Sequence, residues 1–265
     1  MSATAFAIIC TTFGTASQHG QATLQAYHAA VEHRFPQASV HWAFLSQRMR
    51  SLRAHAGSPV ESLATVLAQC SQEKFSGIVV HPLQIIPGQE YQNIHKTVTA
   101  LRHIPKMPEC RISASLLWEP ASIARLGTAL LAEDAQPGPQ EQLLYMAHGS
   151  PQPAHGLYIA LAHWLSWRNP RIFLGSMDHW PTLEELLTRL VPETPRIRLL
   201  PLLTLIGTHA QRDMAGSEEG SWSTRLIRAG FSPEPHLVGL LEKPACIELW
   251  LQRLQEAAHS LNLNP

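Results

Sequence analysis

Residues 133–150 read EDAQPGPQEQLLYMAHGS. The first ten are polar and rich in Pro and Gly, the composition of a linker. The next five are apolar, and the run then stops at His148, Gly149 and Ser150. A linker followed by a fresh strand means that the fold restarts here. Before the linker, strands are expected at 5–12 (AFAIICTT), 39–45 (SVHWAFL), 76–83 (SGIVVHPL) and 111–117 (RISASLL). Helical patterns separate them: Leu24, Tyr27, Val31 and Phe35 at helical spacing, a helix around 59–72, then Ile94, Val98 and Leu101, then 120–133. After the linker the same alternation returns. Strands are expected at LLYMAH, RIFLGS (171–176), RIRLLPLLTLIG (196–207) and PHLVGL (235–240). Helices are expected at 155–168, 182–190 and 221–229, and in a last segment opened by Pro244 with Ile247, Trp250, Leu254 and Ala258 apolar.

Alternating strand and helix implies parallel sheets covered by helices. The expected fold class is therefore α/β, with two similar lobes, each a roughly four-stranded, mostly parallel sheet flanked by helices. The N-terminal lobe would span 1–135 and the C-terminal lobe 136–265, with the last helix free to pack on the first lobe. Ligands in such folds bind beyond the carboxyl ends of the strands, here in a cleft between lobes.

Bulk composition narrows the function. The chain has 265 residues, 45 % apolar and only 15 % charged, so it is long enough and oily enough for buried cores. Lys plus Arg and Asp plus Glu balance at 20 each, which gives no basic footprint for nucleic acid or a membrane surface. The opening MSATAFAIICTTFG has no basic leader, and no stretch reaches the ~18 apolar residues of a membrane span, so a cytoplasmic location is expected. Cys10, Cys70, Cys110 and Cys246 are scattered with no CxxC pair, which argues against a zinc ribbon or a disulfide scaffold. No GxxxxGK[ST] run is present, so neither ATP nor another nucleotide is expected.

Histidine is the outlier, at 15 residues. Neutral imidazole binds borderline metals and exchanges protons near neutral pH. His19, His28, His33, His103 and His259 read as surface residues. His148 and His209 differ, since each ends a long apolar strand, and their tips should share one edge of the second sheet. Asp178 would stand at a third tip. Its plain reading is a partner for a helix start; its sharper reading is a third ligand, two imidazoles and a carboxylate suiting Co(II), Fe(II), Ni(II) or Zn(II) with positions left open. Ser150 reads as an N-cap. Glu90 is either a neighbour of a helix cap or a proton acceptor facing the histidines. Phe13, Gly14 and Thr15 fall at a strand end where helix-start N–H groups could hold an anion. Arg48, Arg50 and Arg53 are either a solvated face or a carboxylate-binding set. Trp164, Trp167 and Trp250 could mark an interface, and a homo-oligomer is left open.

Several stretches together resemble a known family. FGT at 13–15, IIPGQEY at 85–91, AHGS at 147–150, the Gly-x-x-acid-x-x-Pro pattern at 175–181, THAQRDMAGSEEGSW at 208–222 and GLLEKPA at 239–245 are similar to those of the anaerobic-pathway sirohydrochlorin cobalt chelatases of the CbiK type. The 208–222 block is the most specific. The resemblance covers essentially the whole chain and implies a two-lobed class II chelatase that inserts Co(II), as substrate metal, into the tetrapyrrole sirohydrochlorin without ATP. It implies catalytic roles for His148, His209 and Glu90. It also implies metal contacts from His148, Asp178 and His209, and tetrapyrrole contacts from Phe13, Gly14, Thr15, Ser150 and Arg48. The sequence departs from the family at Asp178, usually glutamate, at Gln84, often histidine, and at His179, usually small. A sirohaem ferrochelatase, a nickel inserter and a non-catalytic tetrapyrrole or metal carrier are the competing readings.

Overall fold

The computed structural model describes residues 6–263. In chain order the elements are β1 (Phe6–Thr12), α1 (Gln18–Arg34), β2 (Ala38–Phe44), α2 (Gln47–His55), α3 (Leu63–Cys70), β3 (Ile78–Pro82), α4 (Gln89–Leu101), β4 (Cys110–Ile112) and α5 (Pro120–Asp134). They continue as β5 (Glu141–Ala147), α6 (Gly156–Arg168), β6 (Ile172–Ser176), α7 (Leu183–Leu187), β7 (Arg196–Leu202), α8 (Trp222–Arg228), β8 (Ser232–Pro235) and α9 (Pro244–His259). A π-helical turn, His209–Met214, stands between β7 and α8.

Two four-stranded sheets result, in the orders β2-β1-β3-β4 and β6-β5-β7-β8, and every pairing is parallel. The two orders are the same order repeated. Parallel neighbours need crossover connections, and helices supply them. β1 is buried at every position and β5 at all but its first, which explains why both read as unbroken apolar runs. In each sheet the chain steps to one side of its first strand and then jumps to the other. A topological switch point therefore lies between β1 and β3, and another between β5 and β7.

The chain forms two compact units, one of residues up to Trp118 with those from Glu248 onward, the other Glu119–Ile247. Sequence had suggested a border at 135/136. Helix α5 instead belongs with α6: a Cβ on Gly127 would come within 2.3 Å of the Trp164 ring, and Leu126 and Leu130 are fully buried. The first unit packs Ala7, Ile9, Ile78 and Val80 of its sheet against Leu67 and Ile94. The second packs Leu144, Met146, Ile197 and Leu199 against Leu186, Trp222 and Leu226.

Several elements differ from expectation. The polar, Arg-rich run after β2 forms α2, capped by Ser46 and with no buried residue of its own. The 111–117 strand shrinks to Cys110–Ile112, and the last strand is Ser232–Pro235, not 235–240. Pro233 and Pro235 are tolerated there because it is an edge strand. Residue 5, the first of the expected β1, lies outside the described residues. Trp250 is fully buried and offers no interface, whereas Trp167 is 79 % exposed. Among the described residues no helix is long and apolar enough to cross a membrane.

Candidate metal and proton-transfer site

β5 and β7 end level, with Ala147 paired to Leu202. His148 follows the first directly. His209 does not end β7, as expected; the strand stops at Leu202, and the histidine opens the π-helical turn seven residues on. Residues 203–207 bend away and do not continue the ladder. The two histidines nevertheless flank the switch point of the second sheet, where the fold leaves room beyond the strand ends. Their ring centroids lie 4.9 Å apart with planes at 90°, and both residues are exposed.

The protons on these rings are placed by their partners. His209 Nδ1 donates to Asp213 Oδ2 at 2.7 Å, since a carboxylate only accepts. His148 Nδ1 makes a longer bond, 3.4 Å, to the carbonyl of Gly149. Both imidazoles are thereby held with Nε2 as the lone-pair nitrogen. A carboxylate behind a ligating histidine orients the ring and strengthens it as a donor. Two imidazoles sharing one ion at about 2.1 Å, with a near-tetrahedral angle between them, have centroids roughly 5 Å apart. The observed spacing is of that size.

Asp213 was not assigned a role from the sequence. Its signal was the four-residue spacing from His209, one turn of helix in the most family-specific block. The acid that was singled out, Asp178, lies exposed two residues beyond β6. It is not the helix-start partner of the plain reading either, because Thr182 with Glu184 and Glu185 occupies that place in α7. Among the described residues, no group of three His, Cys, Asp or Glu side chains is gathered to hold a metal ion.

The other residues singled out are placed as follows. Glu90 is exposed in the first turn of α4, two residues after the N-cap Gly88. Gly14 has φ +107°, and a Cβ there would strike the Phe44 ring at 2.5 Å, so only glycine fits. The helix start expected at Gly14–Thr15 comes later: Ser17 caps α1 through Gly20 N. Thr15 is buried and its hydroxyl accepts from Ser17 N at 3.2 Å, while Phe13 is 56 % exposed. Ser150 likewise closes a turn by accepting from Gln152 N and does not cap α6. Arg48 is exposed on α2, but Arg50 is committed to the carbonyls of Phe44 and Leu45 at 2.6 and 3.0 Å.

One histidine was passed over. His81, inside β3, is fully buried, with Nε2 bonded to Tyr27 OH and Nδ1 to Ser113 Oγ, both at 2.7 Å. Burial pulls its pKa from 6.5 down to about 3.

Twin parallel sheets of one strand order, with an open imidazole pair at a strand-end switch point, define an α/β protein of two repeated units. In fold the chain is similar to SirB from Bacillus subtilis with Fe3+ (TM-score 0.67, 13 % identity, 98 % of each chain). It is also similar to CbiX, described as the terminal enzyme for biosynthesis of siroheme in denitrifying bacteria (TM-score 0.60, 18 % identity, 96 % of this chain and 99 % of that one). A family model described as cobalt chelatase (CbiK) matches residues 6–259. The chain is 34 % identical over 257 residues to sirohydrochlorin cobaltochelatase CbiKC of Nitratidesulfovibrio vulgaris strain Hildenborough, covering 96 % of this chain and 91 % of that protein. It is 27 % identical over 210 residues, 79 % of each, to sirohydrochlorin cobaltochelatase of Salmonella typhimurium strain LT2. The chain belongs to the cobalt chelatase (CbiK) family.

Proposed function

We propose that this chain inserts Co(II) into sirohydrochlorin. The observation that carries the reading is the His148–His209 pair at the switch point of the second sheet, in a chain of the cobalt chelatase family. In this reading Nε2 of each histidine holds Co(II) against one face of the ring, and Asp178 swings in, directly or through a water, as the third ligand. Its carboxylate is one methylene shorter than the glutamate usual in the family, which favours the water-bridged contact.

The ring cannot accept a metal while its inner nitrogens keep their protons. As ring nitrogens displace the protein ligands, Nε2 of His209 regains its lone pair and takes up one of those protons. The Asp213 carboxylate 2.7 Å from Nδ1 stabilises the imidazolium so formed. Glu90 is the proposed acceptor of the other proton. Phe13 offers an exposed ring face to the macrocycle. Gly14, Thr15, Ser150 and Arg48 are assigned to its carboxylates, because a chain of balanced charge must hold them by local donors. Chelation itself drives the transfer, with no ATP. Ligands that hold the ion by only two imidazoles and a carboxylate release it without stalling.

The test is anaerobic incubation with sirohydrochlorin and Co(II), Fe(II) or Ni(II), followed by the ring's absorbance. Cobalt insertion should be abolished in both His148→Ala and His209→Ala. Full activity in both variants refutes the reading, and a faster rate with Fe(II) or Ni(II) than with Co(II) reassigns the metal.

A further inference from the structure

A second pair of imidazoles stands beside the first. His155 ends the 3-10 turn Pro153–His155, His179 lies in the β6–α7 loop, and their ring centroids are 5.5 Å apart. His155 Nε2 donates to the carbonyl of Trp180 at 2.6 Å. A carbonyl oxygen only accepts, so the hydrogen stays on Nε2 and Nδ1 carries the lone pair. That Nδ1 is shielded from solvent and has no hydrogen-bond partner among the described residues. His179 Nδ1 is in the same condition. It packs against Gly149, where a Cβ would come within 3.1 Å of it and of Ser176 Cβ. Ser176 Oγ is a third buried polar atom without a partner among the described residues.

Native proteins leave few buried polar atoms unsatisfied, and each such atom points to strain, function or a missing occupant. Two ring nitrogens in one ring contact point to an occupant they share. The spacing says what kind. It matches the roughly 5 Å expected of two imidazoles on one ion. The backbone carbonyl behind His155 is the outer-shell partner that ligating histidines keep. Gly149 is what permits the approach, since its φ of +89° and missing Cβ leave the His179 ring its place.

We propose that His155 and His179 form a second site for a divalent transition-metal ion, adjoining the His148–His209 pair. Imidazole donors select Co(II), Ni(II), Zn(II) or Cu(II) over Mg(II) or Ca(II). Two imidazoles alone hold the ion loosely, so it stays exchangeable. On the chelatase reading above, the site holds the next ion while the first is being transferred.

The test is metal binding by the full chain with no tetrapyrrole present, using Co(II) as the probe. Wild type should bind two Co(II) per chain by equilibrium dialysis. His179→Gln and His155→Gln should each bind one, and the double variant His148→Ala/His209→Ala should also bind one. X-ray absorption of that last protein should place two imidazoles on its cobalt. A wild-type stoichiometry of one that neither glutamine variant changes overturns the site and leaves a trapped water as the occupant. Absence of bound cobalt in a folded His148→Ala/His209→Ala protein overturns it equally. Because these readouts need no insertion chemistry, a failed chelatase assay refutes the function and not the site.

Discussion

The loops that follow β1 and β5 are the same device used twice. Thr12-Phe13-Gly14-Thr15 and Ala147-His148-Gly149-Ser150 each leave a fully parallel strand, turn on a glycine with positive φ (+107° and +89°), and tuck a hydroxyl inward. Thr15 accepts from Ser17 N, and Ser150 from Gln152 N, both at 3.2 Å. The residue thrown outward differs: a phenyl ring in one unit, an imidazole in the other. Backbone and turn chemistry are thus common property of the fold, and reactivity is decided by one outward side chain on each copy.

The interiors contrast as well. The first unit buries a neutral network, Tyr27–His81–Ser113, whereas the second buries a charged one. Lys243 and Asp134 form an ion pair whose side chains are 4 % and 8 % exposed, and Tyr145 OH donates to the same carboxylate at 2.9 Å. Removing one member of a buried pair strands the other charge. Lys243→Met should therefore lower unfolding stability by about 3–5 kcal/mol in urea titrations. His81→Gln, which breaks only neutral bonds, should cost about 1–3 kcal/mol. Equal costs would mean that the charged network is no more committed than the neutral one.

The outward side chains give the next contrast. If His148 acts on the metal as proposed, His148→Ala should reduce kcat for cobalt insertion at least about 100-fold, whereas Phe13→Ala should mainly raise KM for the tetrapyrrole, by about tenfold. A kcat loss shared equally by the two variants would erase the distinction between the loops. Asp213→Ala should weaken Co(II) binding about 10- to 100-fold in calorimetric titration, by releasing the tautomer and orientation of His209. Unchanged affinity would make that 2.7 Å bond a surface ion pair and nothing more.

Much of this was legible in the sequence, and the failures have physical causes. Buried parallel strands are long apolar runs, so β1, β3, β5, β6 and β7 were readable, and the two-lobed α/β class with them. His148 was readable because it ends such a run. The edge strand β2 was found too, within a residue of its expected bounds, but β8 was not, since it reads SPEP and carries no apolar pattern at all. Helix α2 was hidden because no residue in it is buried, leaving capping by Ser46 as its only mark. The unit border was misjudged because a polar, Pro-rich stretch marks a loop, whereas the border follows packing, and α5 packs on α6 before that loop is reached. His209 was placed on a strand it does not end. Its partner Asp213 went unnoticed, since the spacing that joins them needs the helical turn to be known. Asp178 carried the family's acid by position, yet in this chain it gathers with no other two ligands among the described residues.

His81 offers the finest test, because it is the first unit's answer to the exposed histidines of the second. Both its nitrogens are taken and no water reaches it, so the charged form is disfavoured by desolvation and the pKa falls from 6.5 to about 3. Between those two values the unfolded chain binds a proton at this position and the folded chain does not. Unfolding therefore takes up protons, and stability rises with pH across the window. Its contribution is complete above the unfolded value and is lost as the medium is acidified toward the folded one. The loss is at most about 1.4 kcal/mol for each pH unit. Urea titrations from pH 7 down to pH 5 should show this slope in wild type, and His81→Gln, though less stable at neutral pH, should flatten it. An unchanged slope in that variant would mean that the acid sensitivity lies with other histidines, and that burying this one has no consequence for how the first unit responds to protons.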